Sequence, residues 1–286
     1  MAACVHRLAG VFAVPAALLT LSSLHPARAQ TPPAPAKPEM TENCPGLVAS
    51  AAPRLIPAAF RELAALNPDQ VRITYNGHST FTIESPQQVR IATDYNDYVH
   101  VPGLPDIVTM NHAHDTHYTD HPDPAIKHVL RGWGASESQP ARYDLTVKDV
   151  RVRNVPTNIR NWSGGTERYG NSIFIFEIAN LCIAHLGHLH HTLTDAHLGE
   201  LGQIDVLLVP VDGAFTMSQV DMVEVIREIA PPLVIPMHFF NETTLARFLD
   251  RMRATHLVKV SETPTALLSR AALPSGRPEV LVLPGS

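Results

Sequence analysis

The sequence predicts an α/β fold in which two β-sheets pack face to face with helices outside them, a four-layer αββα sandwich. Short runs rich in Val, Ile and Thr dominate the chain up to about residue 186, and strands alternate with helices after residue 190. The continuous apolar run IDVLLVPV at 204–211 is typical of a strand in a sheet that is covered on both faces. Elements of these two kinds bury their apolar faces by packing in layers, which favours the sandwich.

Each element follows from its local pattern. β-branched runs bounded by turn residues predict strands at 71–76, 80–85, 89–94, 106–110, 127–133, 146–155, 172–178 and 181–186. In the second half, strands are predicted at 204–211, 233–238, 256–260 and 279–284, with helices at 193–202, 218–231 and around 245–252. Met222, Ile226 and Ile229 share one face of the helix at 218–231, as the 3.6-residue period requires.

The first 29 residues have the pattern of a secretory signal peptide. A short basic start, with Arg7, precedes an apolar run that extends to Leu21, and Ala27-Arg28-Ala29 resembles a signal-peptidase site. The alternative is a membrane anchor, but the run is shorter than the roughly 20 apolar residues that a spanning helix needs. We therefore expect cleavage after Ala29, a secreted or periplasmic protein, and no membrane span after cleavage.

Residues 30–43 are rich in proline and predict an extended linker, so the predicted domain is 44–286. The formal net charge of −5 argues against a nucleic-acid partner, and we expect a small-molecule substrate. Nothing in the sequence indicates an oligomeric state.

Cys44 and Cys182 remain after cleavage. Export would allow them to form a disulfide, whereas a buried free thiol at Cys182 is equally consistent with its apolar strand.

Histidines cluster directly after three predicted strands. The loop MNHAHDTHYTDH follows the strand at 106–110, LCIAHLGHLHH ends another strand, and LVIPMH ends a third. Neutral imidazole is a preferred ligand of zinc and similar ions, and strands that end at one sheet edge bring such side chains together. The alternative is a set of solvated histidines. The candidate metal ligands are His112, His114, His117, His185, His188 and His238.

These motifs resemble the metallo-β-lactamase-fold hydrolases. The segments YNGHSTFTIES, VTMNHAHDTH, IAHLGHLHHTLT, IDVLLVPVDG and LVIPMHF are similar, in that order, to superfamily segments across about 71–240. The closest resemblance is to the branch that includes ascorbate-6-phosphate lactonase. The resemblance implies the αββα sandwich. It also implies metal-dependent hydrolysis of a small ester, lactone or phosphodiester by a metal-activated water.

The resemblance also implies an arrangement of ligands. It matches His112, His114 and His185 to a first metal ion, and His117 and His238 to a second. His188 occupies the place of the family's bridging aspartate, so a bridge by a carboxylate is lost. One or two divalent transition-metal ions are therefore both consistent with the sequence, and nitrogen-rich ligation suits Zn²⁺ best.

The candidate catalytic residues are Asp115 and His78. The family's loop aspartate immediately precedes the last histidine, where this chain has Thr116, and the acid stands one place earlier at Asp115. Asp115 could orient the attacking water or support a ligand histidine, and His78 could bind substrate or only stabilise its turn. Asp94 matches a family acid that supports the metal loop. Because two family carboxylates are missing, the alternative is a metal-binding or sensing protein with little or no hydrolytic activity.

Overall fold

The computed structural model describes residues 38–46 and 65–285, except for residues 137 and 162. The predicted signal peptide and the linker up to residue 37 lie outside the described residues. Within the described residues, no helix is both long enough and apolar enough to cross a membrane.

Two sheets form the framework. The first sheet contains β1 (Gln70–Gly77), β2 (Thr80–Glu84), β3 (Arg90–Ala92), β4 (Ile107–Met110), β5 (His128–Arg131) and β13 (Thr265–Ser269), in the order β13-β1-β2-β3-β4-β5. The second contains β6 (Asp144–Val147), β7 (Val150–Arg160), β8 (Thr166–Ile178), β9 (Leu181–His185), β10 (Val206–Pro210), β11 (Leu233–Met237), β12 (Leu257–Val260) and β14 (Glu279–Val282), in the order β12-β14-β11-β10-β9-β8-β7-β6.

The sheets pack against each other across an apolar core. Ile73 and Phe81 from the first sheet and Phe174, Phe176 and Leu208 from the second belong to this core, and all five are fully buried. Aligned packing of two inner sheet faces is the usual way to bury such alternating side chains. The predicted sandwich is thus confirmed.

A second core lies on the other face of the second sheet. Helices α1 (Asp195–Leu201), α2 (Gln219–Ile229) and α3 (Glu242–Met252) contribute Leu201, Met222 and Phe248 to it. Leu207 and Val234 of the sheet complete the contact, so this sheet is buried on both faces, as its apolar strands predicted. On the first sheet, Val108 and Met110 pack instead with loop residues such as Val101 and Ile126.

Two details differ from the sequence prediction. The segment predicted as one strand at 146–155 is a hairpin, because the chain turns between β6 and β7 at Lys148, which has a φ of 51°. The pairing of β13 with β1 was not predicted from the sequence. The turn at Lys148 depends on local backbone geometry, and the place of β13 in its sheet depends on a strand that is distant in sequence. Neither feature is marked by a strong hydrophobic period.

Cys44 and Cys182 form a disulfide. The bond ties the described segment at 38–46 to β9, and it resolves the choice that the sequence left open between a disulfide and a free thiol. Strand β9 ends at His185, so the bond lies on an element that leads directly to the histidine-rich edge.

The strand directions explain why that edge collects functional residues. β10 pairs in parallel with both β9 and β11, so the carboxyl ends of all three lie at one edge of the second sheet. The loops after these strands, together with the loop after β4, carry the histidine motifs. Ligands bind at such edges in α/β folds because the loops converge there.

Candidate metal centre

Four histidines from three loops converge at this edge. His114 and His117 come from the loop after β4, His188 from the loop after β9, and His238 from the end of β11. One ring nitrogen of each lies within 4.8 Å of the others. Three of the four side chains are buried, so the cluster is shielded from bulk water. We call this group the four-imidazole cluster.

The inward-facing atoms of the cluster are Nε2 nitrogens. His114 Nε2 lies 2.9 Å from His188 Nε2, and His117 Nε2 lies 3.2 Å from His238 Nε2. Adjacent ligand nitrogens around one ion at bond lengths of about 2.0–2.1 Å lie about 2.9–3.4 Å apart. The two measured separations match this spacing, so the cluster can bind a metal ion. Among the described residues, no second group of three or more His, Cys, Asp or Glu side chains reaches this proximity.

Carboxylates hold two of the rings from behind. His117 Nδ1 lies 2.6 Å from Asp94 Oδ2, and His238 Nδ1 lies 3.2 Å from Asp212 Oδ1. The hydrogen bond with the Asp94 carboxylate keeps the proton of His117 on Nδ1, so that its Nε2 presents its lone pair to a metal. Asp94 follows β3 and Asp212 follows β10, so strands of the two sheets position both carboxylates.

Neutral partners hold the other two rings. His114 Nδ1 lies 2.8 Å from Thr116 Oγ1, and His188 Nδ1 lies 2.8 Å from His190 Nε2. The Nδ1 atoms of His114, His117 and His188 thus have hydrogen-bond partners, whereas His238 Nδ1 lies near Asp212 without a hydrogen bond. Thr116, which stands where the resembling family has its loop aspartate, supports a ligand here.

The electrostatics suit metal binding. Burial lowers the pKa of His114, His117 and His188, and the neighbouring imidazoles lower it further, so these rings are neutral at pH 7. Neutral imidazole is the form that binds a metal. Burial raises the pKa of Asp94, but a nearby cation would favour its ionised form.

His112 and His185 lie apart from the cluster. The His112 side chain is 42% exposed, and its Nδ1 lies 2.8 Å from Glu167 Oε1. Its ring also lies 5.1 Å from the Trp133 ring. His185 is fully buried, with its Nε2 2.8 Å from the Ser79 carbonyl oxygen. The other ring nitrogen of His185, Nδ1, accepts the Gly187 N–H, so both of its ring nitrogens have partners inside the protein.

His78 lies beside the cluster. Its ring centroid is 4.1 Å from that of His238 and 5.0 Å from that of His117. Its carbonyl oxygen accepts the N–H of His238 at 2.6 Å and the hydroxyl of Tyr75 at 2.8 Å. Burial and the neighbouring His238 lower the pKa of His78 to about 4, so the ring is neutral at pH 7.

Asp115 lies on the protein surface. Its Oδ2 accepts the Tyr98 hydroxyl at 2.6 Å, and its side chain is not part of the four-imidazole cluster. Asp115 belongs to the same loop as His114 and His117. Because its side chain is exposed, its carboxylate lies on the outer side of that loop.

Buried amides position the loop that carries His188, and no sequence pattern indicated them. Asn171 Oδ1 accepts the backbone N–H of His188 at 2.8 Å, and Asn111 Nδ2 donates to Asp94 at 2.9 Å. Gly187 has a φ of 60°, and a Cβ there would lie 2.4 Å from both amide side chains. Only glycine lets the loop approach them so closely.

Comparison with known proteins places this geometry in a family. A model of the beta-lactamase superfamily domain matches residues 72–238. The chain belongs to this superfamily. The metallo-β-lactamase fold predicted from the sequence is confirmed, and the match ends at His238, the last histidine of the cluster.

The related proteins are metal-dependent hydrolases. A UPF0173 metal-dependent hydrolase of Methanoculleus marisnigri is 25% identical over 212 residues, which cover 70% of this chain and 94% of the relative. A UPF0173 metal-dependent hydrolase of Salinibacter ruber is 26% identical, covering 62% of this chain and 88% of the relative. The chain is accordingly a metal-dependent hydrolase of the superfamily. The narrower resemblance to the ascorbate-6-phosphate lactonase branch stays a prediction.

Solved structures agree with this assignment. A candidate Zn-dependent hydrolase of the metallo-β-lactamase superfamily from Thermotoga maritima is 26% identical, with a TM-score of 0.53, and covers 75% of this chain and all of the other. The metallo hydrolase Igni18 from Ignicoccus hospitalis is 20% identical, with a TM-score of 0.51, and covers 70% of this chain and 99% of the other. The second likeness concerns the fold alone.

Proposed function

We propose that this hydrolase holds one divalent transition-metal ion, best matched by Zn²⁺, and hydrolyses a small carboxylic ester or lactone. The observation that supports it is that one ring nitrogen from each of four histidines lies within 4.8 Å of the others, with carboxylates beside His117 and His238. His114, His117, His188 and His238 would hold the ion. When bound, such an ion polarises the oxygen under attack and lowers the pKa of water.

The charges around the cluster favour an uncharged reacting group. Asp94 and Asp212 each lie at the Nδ1 atom of a ligand imidazole. Two ionised carboxylates offset the charge of a divalent cation held by neutral imidazoles. A carboxylic ester or lactone therefore suits this site better than a phosphodiester, which brings its own negative charge.

His78 is the better placed of the two catalytic candidates. Its ring lies against His238 and is half-buried, so it can contact a substrate at the cluster and receive or donate a proton there. Asp115 is exposed and bound to Tyr98. We propose that Asp115 keeps the loop of His114 in place through Tyr98, and that His78 contacts the substrate.

We also propose that the protein is exported. The support is the signal-peptide pattern of residues 1–29 together with the pairing of Cys44 and Cys182, because disulfides persist mainly in oxidising compartments. Expression of the full chain followed by N-terminal sequencing of the exported protein tests this. We expect the mature chain to begin at Gln30, and retention of residues 1–29 in the cell would contradict it.

Metal analysis and a substrate panel test the proposed activity. The wild type, His188→Ala and the surface control His121→Ala are purified without added metal and assayed with esters, lactones and phosphodiesters. We expect about one equivalent of metal and ester or lactone hydrolysis in the wild type and in the control, with both reduced in His188→Ala, because only three of the four ligands remain.

Two other results would contradict the proposal in different ways. Less than about half an equivalent of transition metal in the wild type would remove the metal site itself. A fully loaded protein that hydrolyses no member of the panel would instead support a metal-binding or sensing role. That role has one favourable feature, since the cluster contains four imidazoles and no carboxylate.

A further inference from the structure

Two exposed phenylalanines stand together at the rim of the metal centre. Phe215 follows β10 and is 60% exposed, and Phe240 follows β11 and is 56% exposed. Their ring centroids are 5.4 Å apart in an edge-to-face arrangement. Adjacent exposed aromatic side chains beside a polar site commonly mark a binding surface.

One of these rings contacts the functional residues directly. The Phe240 ring centroid lies 5.4 Å from that of His238 and 6.0 Å from that of His78. A single substrate could thus contact Phe240 with its apolar part while its reacting group lies at the four-imidazole cluster. The aromatic pair and the metal centre form one continuous surface.

The other ring is fixed by a residue of the same centre. The backbone N–H groups of Ala214, Phe215 and Thr216 all donate to the Asp212 carboxylate. The same carboxylate lies 3.2 Å from His238 Nδ1. Asp212 therefore fixes the Phe215 turn while its carboxylate lies beside His238, so the aromatic pair is held at a defined place relative to the cluster.

We propose that Phe215 and Phe240 form a subsite for an apolar acyl or alkyl group of the substrate, with an aryl group as the best fit. This inference rests on the proposed function, because it names the substrate class of the same site. The pair buries the apolar group of an ester or lactone while the reacting carbonyl lies at the metal centre. Aromatic groups gain both from apolar burial and from edge-to-face contact with the two rings.

Two metal-chelating probes that differ in their apolar group test the subsite. Acetohydroxamate and phenylacetohydroxamate are titrated into Zn²⁺-loaded protein by calorimetry, with Phe215→Ser, Phe240→Ser and the control Leu267→Ser. Leu267 is 55% exposed and lies on β13, so it matches the loss of an exposed apolar side chain. Metal content and melting temperature are measured for every variant.

We expect the wild type and Leu267→Ser to bind phenylacetohydroxamate about tenfold more tightly than acetohydroxamate. Each phenylalanine variant should lose most of this preference and keep its affinity for acetohydroxamate. Equal affinities in the wild type, or a preference that survives in both variants, would overturn the subsite alone. Zn²⁺-loaded wild type that fails to bind acetohydroxamate would overturn the proposed hydrolysis at this centre, because its metal would not be open to a substrate, and the subsite with it.

Discussion

Replacement of Asp94 by Asn tests whether the carboxylate behind His117 controls metal affinity. Asp94 is fully buried, its Oδ2 lies 2.6 Å from His117 Nδ1, and its Oδ1 accepts Asn111 Nδ2 at 2.9 Å. The carboxylate thus serves two N–H donors with two oxygens. An asparagine side chain has one oxygen, so one of the donors would face an amide NH₂ without an acceptor.

The cost follows from this geometry. A buried donor without a partner costs about 1–3 kcal/mol, and the loss of a partner behind a ligand histidine weakens metal affinity roughly 10–100-fold. Since a factor of ten corresponds to about 1.4 kcal/mol, the two magnitudes agree. We expect Asp94→Asn to bind Zn²⁺ about 10–100-fold more weakly and to unfold more easily without metal by about 1–3 kcal/mol.

Competition with a chromophoric chelator measures the affinity, and denaturant unfolding of metal-free protein measures the stability. Asp149→Asn is the matched control, because Asp149 accepts the Ser85 hydroxyl at 2.7 Å and the Gln87 N–H at 2.9 Å but is not part of the cluster. The control should lose stability and keep its metal affinity. Unchanged affinity in Asp94→Asn, or an equal loss in Asp149→Asn, would refute the reasoning.

Three further predictions concern the loop, pH and redox state. Gly187→Ala should lower the free energy of unfolding by about 2–4 kcal/mol, from the left-handed backbone and from crowding. It should also weaken Zn²⁺ binding, and denaturant unfolding and chelator competition check both. Burial holds the pKa of His78 and His190 at about 4 instead of 6.5. Between pH 4 and pH 6.5, the two imidazoles bind protons in the unfolded chain but not in the folded protein. The free energy of unfolding of metal-free protein should therefore be greatest above about pH 6.5 and decrease towards pH 4. Thermal melting across this range checks this, and a melting temperature that does not change with pH would contradict it. Reduction of the Cys44–Cys182 disulfide, which spans 138 residues, should cost about 2–5 kcal/mol, measured by denaturant unfolding with and without reductant; an unchanged midpoint would contradict this.

The elements of the sandwich were largely predictable from local patterns. The strand at 204–211 and the helix at 218–231 correspond to β10 and α2, because their apolar periods reflect which faces are buried. The hairpin turn at Lys148 was missed although Lys148 and Asp149 interrupt the alternation between Val147 and Val150, because the segments on both sides have the same strand-like composition. Strand β13 was missed because its sheet position depends on β1, which is distant in sequence.

The candidate site was predictable in composition but not in geometry. The position of histidines directly after predicted strands predicted six metal ligands, and four of them lie together in the structure. His112 and His185 share the motif but have partners elsewhere, Glu167 and the Ser79 carbonyl. Glu167 lies 55 residues from His112 along the chain, so no local pattern could have indicated that contact.

The sequence by itself determined the layered α/β fold, the superfamily and the edge at which histidines accumulate, because these depend on periodicity and on the order of motifs along the chain. Only the tertiary structure decided which imidazoles share a centre, that Thr116 and His190 support ligands, and that Phe215 and Phe240 stand beside them. The physical reason is that a ring has two nitrogens, and its role depends on which neighbour occupies each one. Those neighbours come from separate loops that meet only when the two sheets pack together.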